Sequence, residues 1–240
     1  MKTDSEGLHM SKKITLHGEF VYVMAILLLS LAVAMLSAAN FGVSMIVAPA
    51  YIISQKLGVI TFGQGEYLVQ SLLFIAFCIL MKKVKLVYFS SFATCLIYGA
   101  VLDLWRKFVP LFNPDITAPG SMGLPVRILL FIGGMILTSF SVMLFYKTYL
   151  YPQVYDFFVK GISARFDKDR TKFKIAFDFS CLAVSCVLTL VLFRRFVGIG
   201  VGTLVLTALN GFIIGWFDKL FDKCVDLKPL FPKFAAKFDL

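Results

Sequence analysis

Three carboxylates lie inside or at the edge of long apolar stretches: Glu66, Asp103 and Asp178. An ionised carboxylate in hydrocarbon costs roughly 2.5–3.5 kcal/mol at a helix centre, so such a residue turns toward protein or a water-filled cavity. The chemistry this permits is binding of a proton or a cation. The plainer reading puts each acid near a helix end, where headgroups are close and the cost is small. Gln64 and Gln70 flank Glu66, and Gln70, four residues on, shares a helix face with it. A second set joins amides to helix breakers: Asn40, Gly42, Pro49, Pro152 and Asn210. A broken helix frees backbone N–H and C=O groups that can coordinate a ligand, and a buried Asn amide seeks a partner across helices. Helix packing and a plain proline kink answer for the same residues.

Other chemistries lack material. The two histidines, His9 and His17, sit in the N-terminal tail. The cysteines (Cys78, Cys95, Cys181, Cys186, Cys224) show no CxxC spacing, and four of the five lie in apolar runs, where cysteine behaves as a small hydrophobe. The run Gly198-x-Gly200-x-Gly202 has no strand before it, so it is not a nucleotide fingerprint. Its spacing, like Gly211-x-x-x-Gly215, suits close helix approach. These patterns predict no catalytic residue, no metal site, no cofactor and no enzyme.

The elements that must position the candidates are membrane helices. Of 240 residues, 59% are hydrophobic and 16% charged, and mean hydropathy is +0.86. Soluble domains carry ~25% charged residues. A span needs roughly 20 apolar residues, and six segments qualify: 20–39, 62–81, 86–105, 125–146, 175–193 and 196–217. The first is too long in its apolar core for a signal peptide. Two further segments, 40–58 and 148–166, are apolar or aromatic but interrupted by Gly42, Pro49 and Gly58, and by Pro152, Asp156 and Gly161. Segments of this kind re-enter the bilayer or lie at its surface. From Trp216 onward, aromatic and leucine positions alternate with Asp218, Lys219, Asp222 and Lys223, the spacing of an interfacial helix. The expected fold is an all-α polytopic bundle divided into an N-tail (1–19), a first membrane half (20–107), a loop (108–124), a second membrane half (125–217) and an amphipathic C-tail (218–240).

The net charge of +10 reads as topology rather than nucleic-acid binding, because basic residues gather on the cytoplasmic side. With the N-terminus inside, eighteen Lys and Arg fall on the cytoplasmic face and six on the other. Both termini are therefore expected inside, in a plasma membrane. Lys82–Lys83 and Arg194–Arg195 serve as headgroup anchors or as a vestibule for anions.

The two halves share a plan of span, broken segment, acid-led span, dibasic turn and span. A shift of 112 lays Glu66 on Asp178, Lys82–Lys83 on Arg194–Arg195 and Gly99 on Gly211, although only two of the 40 positions from Glu66 to Trp105 are identical. A shift of 103 lays Pro49 on Pro152. If the repeat is real, its three-span halves have opposite orientations, a recurring transporter plan with the site at the interface of the halves. The stretch Phe41-Gly42-Val43-Ser44 with Ala48-Pro49, the acid-led second span, and Gly99-x-x-x-Asp103 resemble the YitT/YczE-like bacterial integral membrane proteins. That resemblance implies a bacterial plasma membrane and no established activity. The leading expectation is a small-solute transporter. Glu66 and Asp178 would be its coupling acids, Asn40 and Asn210 (with Gln70 and Asp103) its ligand contacts, and the Gly42, Pro49 and Pro152 segments its gates. The alternative is a scaffold or sensor subunit that docks a partner through its Phe-rich tail. The expected partners are the lipid bilayer and a small solute or ion, with a homo-oligomer left open.

Overall fold

The computed structural model describes residues 14–238 apart from Lys83; the N-tail lysines Lys2, Lys12 and Lys13, and His9, lie outside the described residues. The chain forms α1 (Gly18–Ala39), α2 (Ala48–Leu57), α3 (Phe62–Met81), α4 (Phe89–Phe108), α5 (Leu124–Lys147), α6 (Val154–Arg165), α7 (Arg170–Phe193) and α8 (Val201–Cys224). Six of these, all but α2 and α6, are long and apolar enough to cross a membrane. The protein is a multi-pass integral membrane protein with an all-α fold.

Packing follows side-chain size. In lipid, helices associate by close van der Waals contact, which small residues allow. Helix α1 carries Ala25, Ala32, Ala34 and Ala39 fully buried and runs along α5. There Gly133 and Gly134 leave room for Met35 and Leu36; a Cβ on Gly134 would stand 2.9 Å from Leu36 Cγ. Buried serines on α1 bond back into their own helix, Ser30 to Leu27 and Ser37 to Ala34, which satisfies hydroxyls that lipid cannot. Helix α4 packs on α1 and on α3, and α8 packs on α5. Helices α2 and α6 are each wedged against both α3 and α7.

Both described chain ends lie at one end of the bundle. Strand β1 (Ile14–His17), leading into α1, pairs in parallel with β2 (Val225–Lys228), leaving α8. The carboxylate of Glu19 accepts the backbone N–H groups of Leu230 (3.0 Å) and Phe231 (3.2 Å) and the hydroxyl of Tyr149 (2.5 Å). Burial, and after it the bond to Glu19, pushes the Tyr149 phenol well above its ordinary value. Pairing of the segments that enter the first span and leave the last puts both at one face. That requires an even number of crossings, in agreement with six.

The two broken segments return to the side they came from. The first leaves α1 at Asn40, where the backbone turns left-handed (φ 54°). It ends beside the C-terminus of α7, where Lys56 Nζ donates to the Leu192 carbonyl (2.9 Å). The second begins after Lys147, which pairs with Asp218 and Asp222 near the end of α8. It ends at Arg165, whose guanidinium donates to the Met81 carbonyl at the end of α3. Each thus begins and ends at one face of the bundle, and the two faces are opposite. The prolines start these short helices rather than kink them. Pro49 stands in the first turn of α2, where its missing N–H costs nothing, and Pro152 immediately precedes the N-cap of α6.

Three boundaries differ most from the hydropathy reading: both ends of the last span and the start of the one before it. The last span begins at Val201 instead of Phe196 and continues unbroken to Cys224, so the amphipathic stretch from Asp218 is the end of α8 and not a separate surface helix. Helix α7 starts at Arg170, with Asp169 Oδ1 accepting the Lys172 N–H (2.8 Å) as its N-cap. The charged residues of its first turns are therefore helical.

Candidate functional site

Glu66 is fully buried on α3. Its Oε2 accepts from Gln70 Nε2 (2.9 Å) and from the Tyr155 hydroxyl (3.1 Å), while Oε1 has no partner. No ion pair to Glu66 occurs among the described residues. The predicted Glu66–Gln70 face therefore exists, and α6 completes it. Gln70, also fully buried, accepts the Val154 N–H through Oε1 (3.1 Å). That bond fixes the amide, so Nε2 must be its donor side, and it also donates to Gln153 Oε1 (3.2 Å). Gln153 in turn is left with its Nε2 unpartnered. The chain of bonds orients both amides without ambiguity.

Next to this network lies a cavity of about 790 Å³ bounded by α1, residues 44–47, and α5 to α8. Its walls are mostly aliphatic and aromatic, and Asp178, Asn210, Pro152, Gln153, Tyr155 and Tyr98 are among its lining residues. It has room because α7 and α8, unlike α3 and α4, do not pack along each other. The charged side chains on its wall are Asp156, Lys174 and Asp178. Lys174 Nζ sits 3.0 Å from Asp156 Oδ1 and 3.6 Å from Asp178 Oδ1, and the Asp178 oxygen makes no hydrogen bond. Asn210 is bonded through Oδ1 to the Ser139 hydroxyl (2.7 Å). Pro152 is fixed by its carbonyl, which accepts from Ser91 (2.8 Å).

Four of the predicted site residues, Pro49, Asn40, Asp103 and Gly42, stand elsewhere, Pro49 in the first turn of α2. Asn40 caps the end of α1, and its Nδ2 reaches the Pro119 carbonyl (3.4 Å). Asp103 accepts the Thr61 hydroxyl (2.5 Å) and the Gly63 N–H (2.9 Å). Thr61 and Gln64 form a capping box at the start of α3, so Asp103 orients a cap. Its partner in the sequence motif, Gly99, lets α4 touch α3, since a Cβ on Gly99 would lie 2.3 Å from Cε1 of Tyr67 on α3. Gly99-x-x-x-Asp103 is a docking motif for α3. Gly42 belongs to a backbone junction with the run at Gly198–Thr203: Val43 N–H donates to the Gly198 carbonyl (3.0 Å), and Gly202 N–H donates to the Phe41 carbonyl (2.8 Å). Gly211 and Gly215, by contrast, face nothing within 4 Å, so that pair holds no helix against α8 among the described residues.

Asp103→Ala is expected to lower the stability of the purified protein by about 1–2 kcal/mol, the range of a lost helix cap. Thermal unfolding in detergent measures it; an Asp103→Ala protein as stable as the unaltered chain would mean that the Thr61 cap does not depend on Asp103.

Sequence reasoning passes over Gln153, Tyr155 and Lys174. The first two sit on a segment whose composition resembles any aromatic surface stretch. Lys174 falls among loop charges by hydropathy, although its spacing of four from Asp178 is a signal for a pair on one helix face.

Among the described residues no group of His, Cys, Asp and Glu could hold a metal ion. Neither a curated protein nor a solved structure matches this chain. A protein-family model does match, over residues 16–219, a range that takes in the buried glutamate network and the cavity. The chain belongs to that family, which is described as a family of unknown function, DUF6198.

Proposed function

We propose that the protein is a small-solute permease whose ligand occupies the cavity beside the Glu66–Gln70–Tyr155 network. The observation that carries this reading is the cavity itself. Asp156, Lys174, Asp178 and a half-satisfied Gln153 gather around about 790 Å³ of space that is partly open at the bundle surface, a costly arrangement in a membrane that a bound ligand would account for. Pockets of this size, mostly apolar with a few placed polar groups, are the usual form of a small-molecule site.

An inverted repeat fits the same reading. Exchanging the first four helices with the last four maps the contact of α1 with α4 onto that of α5 with α8. It likewise maps the contact of α2 with α7 onto that of α6 with α3. Ser91 and Thr203, related by the 112-residue shift, each donate a hydroxyl to the other half's chain, at Pro152 and Val43 (both 2.8 Å). The exchange fails where α7 stands off α8, and the cavity lies there. Two broken segments entering from opposite faces are the parts such a transporter moves in alternating access. The charge bias, together with both described chain ends lying at one face, supports N-in and C-in in a bacterial plasma membrane. The Gly42, Pro49 and Asp103 landmarks support kinship with the YitT/YczE-like proteins. The scaffold alternative needs a tail free to dock, whereas this tail is already held by β1, Glu19 and Tyr151.

Uptake and export in proteoliposomes over a panel of solutes tests the reading. Flux above protein-free liposomes, reduced by Glu66→Gln and Asp178→Asn, is the expected result. No flux for any solute, with neither variant changing a cellular phenotype, would overturn it.

A further inference from the structure

The polar wall of the cavity is unbalanced in two ways. Its charged side chains are two carboxylates and one ammonium. Lys174 is committed to Asp156, which also accepts from the Tyr146 hydroxyl (3.3 Å). Asp178 is left with an ammonium 3.6 Å away and no hydrogen bond on Oδ1. A donor carrying one positive charge would neutralise the wall and bond the carboxylate of Asp178, whose side chain is 22% exposed, with a charge-assisted hydrogen bond. Independently, two side chains that are each 6% exposed have an unpartnered polar atom in the same wall: Gln153 Nε2 and Thr138 Oγ1. The Gln70 bond to Gln153 Oε1 leaves the Gln153 amide nitrogen as its free end, so it asks for an acceptor. Most of the rest of the wall, including Leu29, Val33, Val142 and Phe212, is apolar and suits a hydrocarbon or aromatic body.

We propose that the cavity binds a small protonated amine on an apolar body, its ammonium on Asp178 and an acceptor oxygen or the face of the body toward Gln153 and Thr138. This rests on the permease reading for its purpose but not for its chemistry. Anions are disfavoured by the net negative wall. Neutral apolar molecules leave the wall with its excess negative charge and Asp178 with only the distant Lys174 ammonium, at the cost of an unmade bond to a charged group.

The test is equilibrium binding to the full chain in nanodiscs, using three probes of similar shape and different charge: 2-phenylethylamine, 2-phenylethanol and 3-phenylpropionate. The amine is expected to bind at least tenfold more tightly than the alcohol, and the carboxylate not at all. Asp178→Asn is expected to weaken the amine about tenfold and leave the alcohol unchanged. The ranking on the unaltered chain decides even where the variant does not fold. Equal or tighter binding of the alcohol or the carboxylate, no binding of the amine, or a folded Asp178→Asn that binds the amine as before would overturn the inference. Amine binding without movement across proteoliposomes would defeat the permease reading and leave this one standing. Movement of anionic or neutral solutes without amine binding would do the reverse.

Discussion

If the protein is the permease proposed above, Glu66→Gln is expected to abolish uptake driven by an imposed pH gradient, bringing it to the level of protein-free liposomes, while the protein stays folded. The carboxyl group is fully buried, one of its oxygens has no partner, and no ion pair balances it among the described residues. An ionised carboxylate in such a place needs a counter-charge. In the proposed permease, loss of its proton would be linked to arrival of a cation nearby, which is the linkage a proton-exchanging carrier requires. Tyr155 provides the connection: its hydroxyl bonds Glu66 Oε2 and its side chain lines the cavity. Glutamine has nearly the same shape and can still accept from Gln70 and Tyr155, so stability should move by less than about 1 kcal/mol. Tyr155→Phe is the companion measurement, since it keeps the acid and breaks its bond toward the cavity. It should slow flux without removing the dependence on the gradient. Full gradient-driven flux in a folded Glu66→Gln protein would remove Glu66 from the mechanism.

What the sequence conveys about this arrangement depends on distance along the chain. Helix α3 is legible to the residue, Phe62 to Met81, because its apolar run, its Thr61–Gln64 box and the left-handed Lys82 are all local. So is the Glu66–Gln70 face, which needs only helical spacing. Hydropathy misplaces the start of α8 because Phe196–Gly200 is as apolar as a helix but is held out of one. Gly198 has φ +75°, and its carbonyl is spent on Val43, in the other half. It misplaces the end of α8 for a matching reason. Asp218 and Asp222 look like the polar side of a surface helix until Lys147 is found between them at 2.8 and 2.6 Å. Asn40 and Asp103 illustrate the opposite error. A polar residue near the end of a span reads equally as ligand or as cap, and only the Thr61 hydroxyl and Gly63 N–H on Asp103 decide it. The cavity is legible only as a site between halves, since its charged wall joins α6 to α7 through a lysine that hydropathy assigns to a loop.

The largest loss of stability is expected at Gly42. Its φ of +110° is a backbone state that side chains rarely adopt, and a Cβ built there would stand 2.3 Å from Thr203 Oγ1 and 2.7 Å from the Gly200 nitrogen. Neither neighbour can yield cheaply. Gly200 is backbone, and Thr203 is held by the Val43 carbonyl at 2.8 Å. Gly42→Ala must therefore accept both the strained conformation and the clash, or open the junction that ties the first broken segment to the start of α8. The two costs together come to roughly 3–5 kcal/mol, a large share of a typical protein's stability. Unfolding in mixed detergent–SDS micelles measures it, with Gly215→Ala as the control. That glycine meets nothing within 4 Å, so an alanine there should be neutral or stabilise α8 by up to about 1 kcal/mol. A Gly42→Ala protein as stable as the control would mean that the junction yields freely. The first broken segment would then be free to move against α8 without breaking the fold, and the proposed permease would have to take its rigid reference from α1 and α5.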